Sequence, residues 1–494
     1  MSLAFVAPEI DYHAFAPEIV LVGSLLLLLT VDLIFEQRAR WATSTLAGIG
    51  LLGSMVPIIT LALDGADRSM FGGAYVVDDF SLVMKALFLG AGYIVVLLST
   101  DYIAEGDFSE GEYYFLLLAS LSGMTLMASA RDLITIFIAL ELLSIPAYLL
   151  AGWRKRDLRG NEASLKYYLL GVFASAVMLY GMSLLFGLSG STLLSEIGAA
   201  VRAGEASVAM VTVAIVFVIA GFAFKVSAVP FHTWAPDTYE GAPTPITAFL
   251  SVASKAAGFV ALLNLVYLGF YDRADVWEPM FWTLAVLTMT VGNLIALRQT
   301  NVVRMLAYSS VAQAGFMLAP LAVAGSVPES ALEAVVTYMI IYTAMNLGAF
   351  GVVMAVARRT RSAELSSFGG LFQYAPGLTV LLTVFFFALA GIPPLGGWYA
   401  KFVMFKAIFD SLTPAAVVLG VVAAVNSVIG LFYYASVARE AWMSEIPDGD
   451  RTPVKVPASL AAALGLTALA TVAVGVLPQI AARFGDLATY AIGG

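Results

Sequence analysis

Apolar stretches of about twenty residues follow one another along the whole chain of 494 residues, separated only by short polar linkers. A stretch of ~20 apolar residues is long enough to cross the hydrocarbon core of a bilayer as an α-helix. Hydrophobic residues make up 61% of the chain and charged residues only 12%, whereas a soluble domain carries roughly 25% charged residues. The sequence therefore predicts an all-α polytopic membrane protein with little material left for a soluble domain.

The length rule predicts about fourteen transmembrane helices. The seventh and the twelfth are interrupted by proline, which removes a backbone donor and breaks a helix. The predicted bounds are 17–36, 42–63, 79–100, 112–130, 132–152, 162–188, 207–240 (broken), 245–270, 279–298, 302–324, 329–357, 375–410 (broken), 413–442 and 456–480.

The stretch from Gly221 to Phe259 contains the residues least suited to a lipid environment. An apolar run ends at Lys225, Pro230 follows five residues later, and the next apolar helix carries Lys255 near its middle. A charge at the bilayer centre costs about 2.5–3.5 kcal/mol on insertion scales, and a proline break frees backbone groups that need partners. Such a combination usually marks an ion pathway.

A second break suggests an internal duplication. The sequence GIPP (391–394) interrupts the twelfth helix, and Lys401 follows seven residues after Pro394. Because the two breaks are five helices apart, helices 4–8 and 9–13 are predicted to form two inverted five-helix repeats, a recurring transporter design. The predicted divisions are 1–111 (helices 1–3), 112–270 (first repeat), 271–443 (second repeat) and 444–494 (a loop and helix 14).

Four titratable residues lie deep within predicted spans: Glu141, Lys225, Lys255 and Lys401. Glu141 has no basic residue at i±3 or i±4, and we expect it to pair with Lys225 from another helix. Each of the four is interpreted as a proton-translocating group, against the alternatives of a structural ion pair for Glu141 and an interfacial lysine for the others. One acid and three lysines make a poor metal-cation cage, which needs several oxygen ligands, but a workable proton relay.

The other lysines within or near spans receive a simpler interpretation. Lys85 and Lys166 lie near predicted helix starts and Lys406 lies near a helix end. Long lysine side chains at such positions reach the membrane surface. We therefore expect these three to be interfacial anchors.

Polar residues near the breaks form a secondary set of candidates: His232, Ser309, Tyr338 and Tyr342. His232 either relays protons between the broken helix and water or is an ordinary hydrogen-bonded loop histidine. The other three, together with Gln313 and Asn346, either line a water wire or join helices by hydrogen bonds. Asp237 and Glu240, which are close to His232, either line an entrance or lie in a solvated loop.

Composition also excludes several functions. The chain has no cysteine and only two histidines, so iron–sulfur, haem and zinc sites are not expected on it. Phosphate-binding glycine motifs are absent, and no basic domain is available for nucleic acid. We predict no cofactor and no metal on this chain. Its predicted surroundings are membrane lipids, and any energy source would lie on another chain or be an ion gradient.

Basic residues in the linkers predict the orientation. Placing the N-terminus outside puts five basic residues outside and fourteen inside. The outer ones are Arg68, Arg131, Arg202, Arg273 and Arg483. The inner ones are Arg38, Arg40, Arg154, Lys155, Arg156, Arg159, Arg298, Arg304, Arg358, Arg359, Arg361, Arg439, Arg451 and Lys455. We predict a multi-pass protein of a bacterial plasma (inner) membrane with both termini on the outer, periplasmic side.

Several motifs occur in the order found in a known family. They are ELLSIPAYLLAGWRK (141–155), SLKYYLLGVFASAVMLYG (164–181), FKVSAVPFHTWAPDTYEGAPTPITAFLSVASKAAGF (224–259), LAYSSVAQAGF (306–316) and GIPPLGGWYAKF (391–402). Over nearly its full length the chain resembles the antiporter-like subunits of proton-pumping NADH:quinone oxidoreductase (respiratory complex I), and within that group the N type.

The resemblance implies an antiporter-like fold of fourteen helices and a place in a membrane arm. By motif position, Glu141, Lys225, Lys255 and Lys401 correspond to the family's glutamate of helix 5 and lysines of helices 7, 8 and 12. Helix 11 lacks a lysine or histidine, so water with tyrosine or serine would have to connect Lys255 to Lys401. The implied neighbours are M-type and L-type antiporter-like subunits and small K-type, J-type and A-type subunits.

Under this interpretation the chain is a non-redox subunit of an oxidoreductase and translocase. FMN, iron–sulfur clusters and quinone would be bound by other subunits. The alternative function is a subunit of a multisubunit cation/proton antiporter. A further alternative is a structural scaffold in which the buried charges only hold helices together.

Overall fold

The computed structural model describes residues 9–35, 40–106, 110–204 and 207–487, and regular structure in these ranges is almost entirely helical. The α-helices are α1 Ala16–Phe35, α2 Arg40–Asp64, α3 Asp79–Ala104, α4 Glu110–Ser129, α5 Leu133–Ala151, α6 Leu158–Ser189, α7 Leu194–Ala203, α8 Val208–Lys225, α9 Trp234–Gly241, α10 Thr244–Phe249, α11 Lys255–Asn264, α12 Ala274–Ala296, α13 Val302–Leu318, α14 Pro328–Thr360, α15 Leu371–Tyr374, α16 Pro376–Ala390, α17 Gly396–Asp410, α18 Pro414–Met443, α19 Ala458–Val476 and α20 Gln479–Leu487.

Twelve helical segments in the described ranges are long and apolar enough to cross a membrane, which confirms the prediction of an all-α polytopic membrane protein. Two interruptions lie where proline predicts them. One separates α8 from α9 and the other separates α16 from α17, each of the latter 15 residues long. Arg38 and the chain ends, 1–8 and 488–494, lie outside the described residues, so the orientation of the termini stays a prediction.

Three segments form the interior of the molecule. Within an apolar stretch of 18 residues in each segment, all residues are buried in Thr244–Gly269, 94% in Val302–Val323 and 89% in Pro328–Thr360, whereas only 17% are buried in α1. Helices apolar on all sides fit such an interior. The most enclosed helices are therefore the ones that carry Lys255, Ser309 and the two tyrosines of α14.

The segment Thr244–Gly269 changes helix type along its length. Two π-helical turns, Leu250–Ser254 and Leu265–Gly269, flank α11. In a π turn the backbone hydrogen bond runs from i to i+5, and such turns occur frequently at functional sites. The first of them ends directly before Lys255.

A short hairpin covers one end of the bundle. Strands β1 Arg68–Met70 and β2 Tyr75–Val77 are antiparallel, with Arg68 opposite Val77. A backbone bridge from Tyr75 to Ala130 connects the hairpin to the end of α4. The hairpin therefore lies over the ends of α1, α3 and α4.

Beneath this hairpin lies a buried ion pair. Lys85 is 0% exposed, its Nζ lies 3.0 Å from Glu18 Oε1, and it donates a hydrogen bond of 2.7 Å to the Tyr75 hydroxyl. Tyr75 donates in turn to Glu18 Oε2 at 2.8 Å. The prediction of an interfacial Lys85 is wrong, because a carboxylate on α1 compensates its charge inside the protein.

Candidate functional site

Three further lysines are buried in the middle of the molecule: Lys225, Lys255 and Lys401, with exposures of 3%, 2% and 7%. Each hydrogen-bonds to hydroxyl or carbonyl oxygens. Within the described part of the chain, no carboxylate forms a direct ion pair with any of them. They therefore differ from Lys85, whose charge is matched by Glu18.

Lys225 is the last residue of α8, where the helix breaks. Its Nζ donates to Ser144 Oγ at 2.8 Å and to the Tyr167 hydroxyl at 3.3 Å. The negative end of the helix dipole favours a cation at this position. A Cβ on Gly258 would lie only 3.1 Å from Lys225 Cγ, so the missing side chain lets α11 pass close to the lysine. Since Gly258 is one helical turn after Lys255, the two lysines share one neighbourhood.

Glu141 does not form the expected direct pair with Lys225. It is half-buried on α5 and accepts a hydrogen bond of 2.7 Å from Ser175 Oγ of α6. Ser144, one turn further along α5, contacts Lys225 instead. Glu141 and the serine that binds Lys225 therefore lie on one face of α5, which brings the two charges close to each other without a direct contact.

Lys255 contacts the adjacent central helix. Its Nζ donates to both the carbonyl oxygen and the hydroxyl oxygen of Ser310 on α13, each at 2.6 Å. Asn346 of α14 donates to Ser251, which lies in the π turn before Lys255, at 2.8 Å. Helices α11, α13 and α14 therefore meet around this lysine.

Lys401 reaches back across the second break. Its Nζ donates to the Ala390 carbonyl oxygen at 2.7 Å, which is one of the acceptors left unpaired at the end of α16. The ammonium also lies 4.8 Å from the centre of the Phe316 ring, a distance at which a cation is attracted by the ring face. Gly391 has a φ of +90° and a Cβ there would lie 2.7 Å from Lys401 Cδ, so glycine is required at this turn.

Side chains from three helices connect the surroundings of Lys255 to those of Lys401. Ser309, next to Ser310, lies 2.5 Å from the Tyr434 hydroxyl of α18. Gln313 donates to the Tyr434 hydroxyl at 3.3 Å and to the Leu389 carbonyl oxygen, adjacent to Ala390, at 3.0 Å. Tyr338 donates to Gln313 Oε1 at 2.6 Å. We call Ser309, Gln313, Tyr338 and Tyr434 the central polar chain.

Tyr434 is the member of the central polar chain that the sequence analysis did not single out. It is almost fully buried, and its hydroxyl joins α13 and α18. The available signal was the pair Tyr433–Tyr434 within a largely apolar helix. Adjacent tyrosines cannot share one face of a helix, so periodicity did not single out either of them.

The remaining candidates are placed differently. His232 lies in the turn after α8 and its buried Nδ1 has no hydrogen-bond partner among the described side chains. The hydroxyl of Tyr342 and the Oδ1 atom of Asn346 are buried without such a partner as well. Buried polar atoms in a polar region are usually satisfied by water. These atoms are therefore positions at which water can join the side chains.

One end of the molecule carries a cluster of exposed ion pairs. Arg304 of α13 binds Asp237 at 2.9 Å and Glu240 at 2.7 Å. Lys166 of α6 binds Asp237 at 2.8 Å and Glu162 at 2.7 Å. Asp237 is thus held between α6 and α13, and Glu240 is bound by α13. We call this the basic end, because Arg154, Arg159, Arg358 and Arg361 line a cavity beside it.

These pairs set the charge state of Asp237, which lies outside the candidate spans. Partial burial acts to raise the pKa of this carboxyl, but hydrogen bonds from Lys166 and Arg304 outweigh it, so the pKa is lowered from its ordinary value. Its contribution to stability is therefore complete above the ordinary carboxyl pKa and is lost as the pH falls through the lowered one.

We expect Asp237→Asn to reduce the thermal stability of the assembled protein by at most about 1 kcal/mol for each exposed pair. The difference from the unmodified protein should stay constant from neutral pH down to roughly pH 4 and shrink below it. Asp272→Asn is the matched control, because Asp272 has one exposed arginine partner at 3.1 Å. A larger loss in the control would contradict a special role of Asp237 in holding α9.

The site offers no ligand set for a metal. Within the described ranges, no group of three or more histidine, cysteine or acidic side chains is close enough to hold an ion. The central side chains carry ammonium, hydroxyl and amide groups. Ammonium groups repel metal cations. Proton transfer is the chemistry that this donor set can perform.

The comparison with known proteins decides the family. A family model described as NADH:quinone oxidoreductase/Mrp antiporter, TM, matches residues 130–427. NADH-quinone oxidoreductase subunit N 1 of Koribacter versatilis is 39% identical over 495 residues, which cover 98% of this chain and 96% of that protein. The chain belongs to the subunit N family of NADH:quinone oxidoreductase. It is thus a multi-pass membrane subunit of that complex, which favours complex I over the multisubunit cation/proton antiporter considered as the alternative.

Solved structures show the same fold. A chain in a structure of respiratory complex I from Thermus thermophilus with bound aureothin has a TM-score of 0.78 and 28% identity, covering 94% of this N subunit and 98% of that chain. A chain of the Mrp complex from Dietzia sp. has a TM-score of 0.84 at 20% identity, covering 97% of each. The second likeness concerns the fold alone. The antiporter-like fold predicted from the motifs is confirmed.

Proposed function

We propose that this N subunit translocates protons, with Lys225, Lys255 and Lys401 as carriers and Glu141 as the group that tunes Lys225. The observation that carries this proposal is that all three lysines are buried among neutral oxygens. Removing a proton from a paired lysine would leave a buried carboxylate uncompensated, which is strongly unfavourable. A lysine held by hydroxyls and carbonyls leaves no such charge behind.

The central polar chain supplies the connection between Lys255 and Lys401 under this proposal. The hydroxyl groups of Ser309, Ser310 and Tyr434 can each accept and donate a proton. Gln313 positions Tyr434 and Tyr338 and also binds the carbonyl next to the one that holds Lys401. Water beside Tyr342 and Asn346 completes the route. The proton leaves Lys401 toward the outer side.

The proposed architecture adds two transmembrane helices and a division into repeats to the helix assignment. Adding α4 and the split pair α16–α17 to the twelve candidate spans gives fourteen transmembrane helices. We place the inverted repeats at 112–270 and 271–443, flanked by 1–111 and 444–494. In support, each repeat contains one broken helix with a buried lysine beside the break: Lys225 ends the first half of one, and Lys401 lies in the second half of the other. The basic end faces the cytoplasm and both termini lie on the outer side of the bacterial inner membrane.

Redox chemistry takes place on other subunits in this proposal, which bind FMN, iron–sulfur clusters and quinone. M-type and L-type antiporter-like subunits and the K-, J- and A-type subunits are the proposed neighbours. The redox reaction on the other subunits reaches this chain as an electrostatic change at Glu141. Because Glu141 is half-buried and its face of α5 carries exposed Ile138, Leu142 and Ile145, it is accessible to such a neighbour.

Lys225→Ala tests the proposal in assembled complex in sealed vesicles. We expect normal assembly and fewer protons pumped per NADH oxidised, because Glu141 loses the cation it acts on. Lys166→Ala is the control, since Lys166 is 44% exposed and bound by acids at the surface. Full pumping with Lys225→Ala would overturn the role of this lysine, and loss of assembly alone would favour the scaffold alternative.

A further inference from the structure

We infer that α19, which lies outside the two proposed repeats, is a brace that sets the position of Lys401, and that Gly475 and Trp398 are the positioning residues through which it acts. The inference rests on the proposed function, because it takes Lys401 as a proton carrier. Neither Gly475 nor Trp398 carries a proton itself. Both act through the place at which the lysine is held.

The helix α19 meets the second break at the level of the backbone. A Cβ on Gly475 would overlap the Pro394 carbonyl oxygen and would lie 2.6 Å from Leu395 Cα. A Cβ on Gly396, at the start of α17, would lie 3.1 Å from the carbonyl oxygen of Thr471, one turn before Gly475. Backbone atoms cannot rotate away as a side chain can, so any side chain at 475 must push α19 and the break apart. Glycine is required there for the close approach of the two backbones.

An indole hydrogen bond joins the same two elements. Trp398 Nε1 donates to the Gly475 carbonyl oxygen at 3.0 Å. Because α19 ends at Val476, this oxygen is one of the last carbonyls of the helix, which have no partner within it. Trp398 lies three residues before Lys401 on α17, and residues three apart are neighbours on a helix surface. The bond therefore fixes α17 about one turn from the lysine.

The position of Lys401 depends on how the two halves of the broken helix meet. Its backbone belongs to α17, whereas its Nζ donates to the Ala390 carbonyl oxygen at the end of α16. A Cβ on Gly397 would overlap the carbonyl oxygen of Ala388, so the two halves are in backbone contact. A shift of the turn 392–395 would change the distance from the ammonium to its acceptor. By holding this turn, α19 keeps the acceptor within reach.

A brace must be fixed elsewhere, and α19 is bound to two other helices before it reaches the break. Near its start, Ser459 Oγ donates to Asp101 Oδ2 of α3 at 2.5 Å. Further along, Leu464 packs on Gly351 of α14, where an added Cβ would lie 2.9 Å from Leu464 Cδ2. A displacement at Gly475 is therefore taken up by the break rather than by α19.

The first break uses the same kind of bond in a different way. Trp234 follows that break, and its Nε1 donates at 2.9 Å to the carbonyl oxygen of Phe224, the residue before Lys225. Both partners belong to the same broken helix. At the second break the indole of Trp398 finds its acceptor on α19 instead. The site of Lys401 thus depends on a helix outside both proposed repeats.

The first test is Gly475→Ala in assembled complex in sealed vesicles. The added methyl group displaces the break and moves Lys401 away from Ala390. We expect proton transfer through this chain to slow by about 10–100-fold, because misplacing a reacting group by 1 Å can cost 10²-fold in rate. Protons pumped per NADH oxidised measure the effect. Unchanged pumping in a complex that assembles normally would overturn the brace.

Gly465→Ala is the matched control for this variant. Gly465 lies on the same helix, and a Cβ there meets nothing within 4 Å in the described part of the chain. The same substitution at this position should leave both assembly and pumping unchanged. A loss of pumping as large as that of Gly475→Ala would show that any added methyl group on α19 has this effect, and it would contradict a specific role of Gly475.

Trp398→Phe is a second variant that adds no atoms, so it tests the brace even if Gly475→Ala prevents assembly. It keeps an aromatic ring and removes the bond to Gly475. Trp282→Phe is its control, because Trp282 Nε1 donates to the Ala415 carbonyl oxygen between α12 and α18, also at 3.0 Å. Lower pumping per assembled complex with Trp398→Phe alone would support the brace. A loss of yield or thermal stability with unchanged pumping per assembled complex would indicate a purely structural bond and overturn it.

Lys401→Met separates failure of the brace from failure of the proposed function. If Lys401→Met leaves pumping intact, the carrier role of Lys401 falls and the brace falls with it. If Lys401→Met lowers pumping while Gly475→Ala and Trp398→Phe retain it, only the brace falls. Lower pumping in all three variants, with normal pumping in both controls, supports the carrier and the brace together.

Discussion

Replacing Lys255 by methionine should abolish the contribution of this chain to proton pumping while leaving assembly intact. Lys255 lies between the neighbourhood of Lys225 and the serine pair Ser309–Ser310 at which the central polar chain begins. Methionine fills a similar volume and carries no proton, and loss of a positioned proton-transfer group costs typically 10²–10⁴-fold in rate. Proton pumping per NADH oxidised, measured in sealed vesicles, checks this prediction.

Lys406→Met is the matched control for this experiment. Lys406 lies on α17 with 48% of its side chain exposed, 3.9 Å from Glu333. The same substitution there should leave pumping unchanged. Normal pumping with Lys255→Met would show that protons reach Lys401 without this lysine. Lys255 would then no longer belong to the proposed path.

The second large effect concerns stability. Glu18→Met should destabilise the protein by about 3–5 kcal/mol, because it leaves Lys85 buried with its charge uncompensated. The exposure of Lys85 is 0%, so solvent cannot replace the lost carboxylate. The yield of assembled complex and its rate of thermal inactivation measure the effect.

The double variant Glu18→Met/Lys85→Met distinguishes a broken ion pair from simple mispacking. Removing both charges should restore most of the stability, since apolar replacement of a buried pair is often neutral or stabilising. Recovery should be incomplete, because the Tyr75 hydroxyl loses its acceptor and an unsatisfied buried group costs about 1–3 kcal/mol. A double variant less stable than either single variant would exclude this explanation.

Helices were predictable from this sequence and contacts between them were not. The end of α8 is predicted by the apolar run that stops at Lys225 and by the proline after it. The motif GIPP predicts the end of α16 to within one residue. Both follow from local chemistry, because a span needs apolar length and proline interrupts it. The antiporter-like fold came from the order of several motifs.

Pairing between distant residues was the part that local patterns could not supply. Lys85 was expected at the membrane surface because its partner, Glu18, lies on another helix. Glu141 was expected to bind Lys225 directly, whereas serines occupy the first contacts of both. Tyr434 joins the path only because α18 packs against α13. In each case tertiary packing decides the role of a residue whose type was already visible.

The π turn Leu250–Ser254 makes the direction of Lys255 depend on chain length. Such a turn contains one residue more than the α-helical turn it replaces, and each residue rotates a helix by about 100°. Deleting one residue between 250 and 254 would leave an ordinary α-helical turn and keep the faces of the flanking helices, whereas inserting a further residue would rotate Lys255 by about 100° away from Ser310 without changing its chemistry. The turn therefore absorbs one extra residue, and we expect this segment to tolerate a one-residue deletion better than a one-residue insertion.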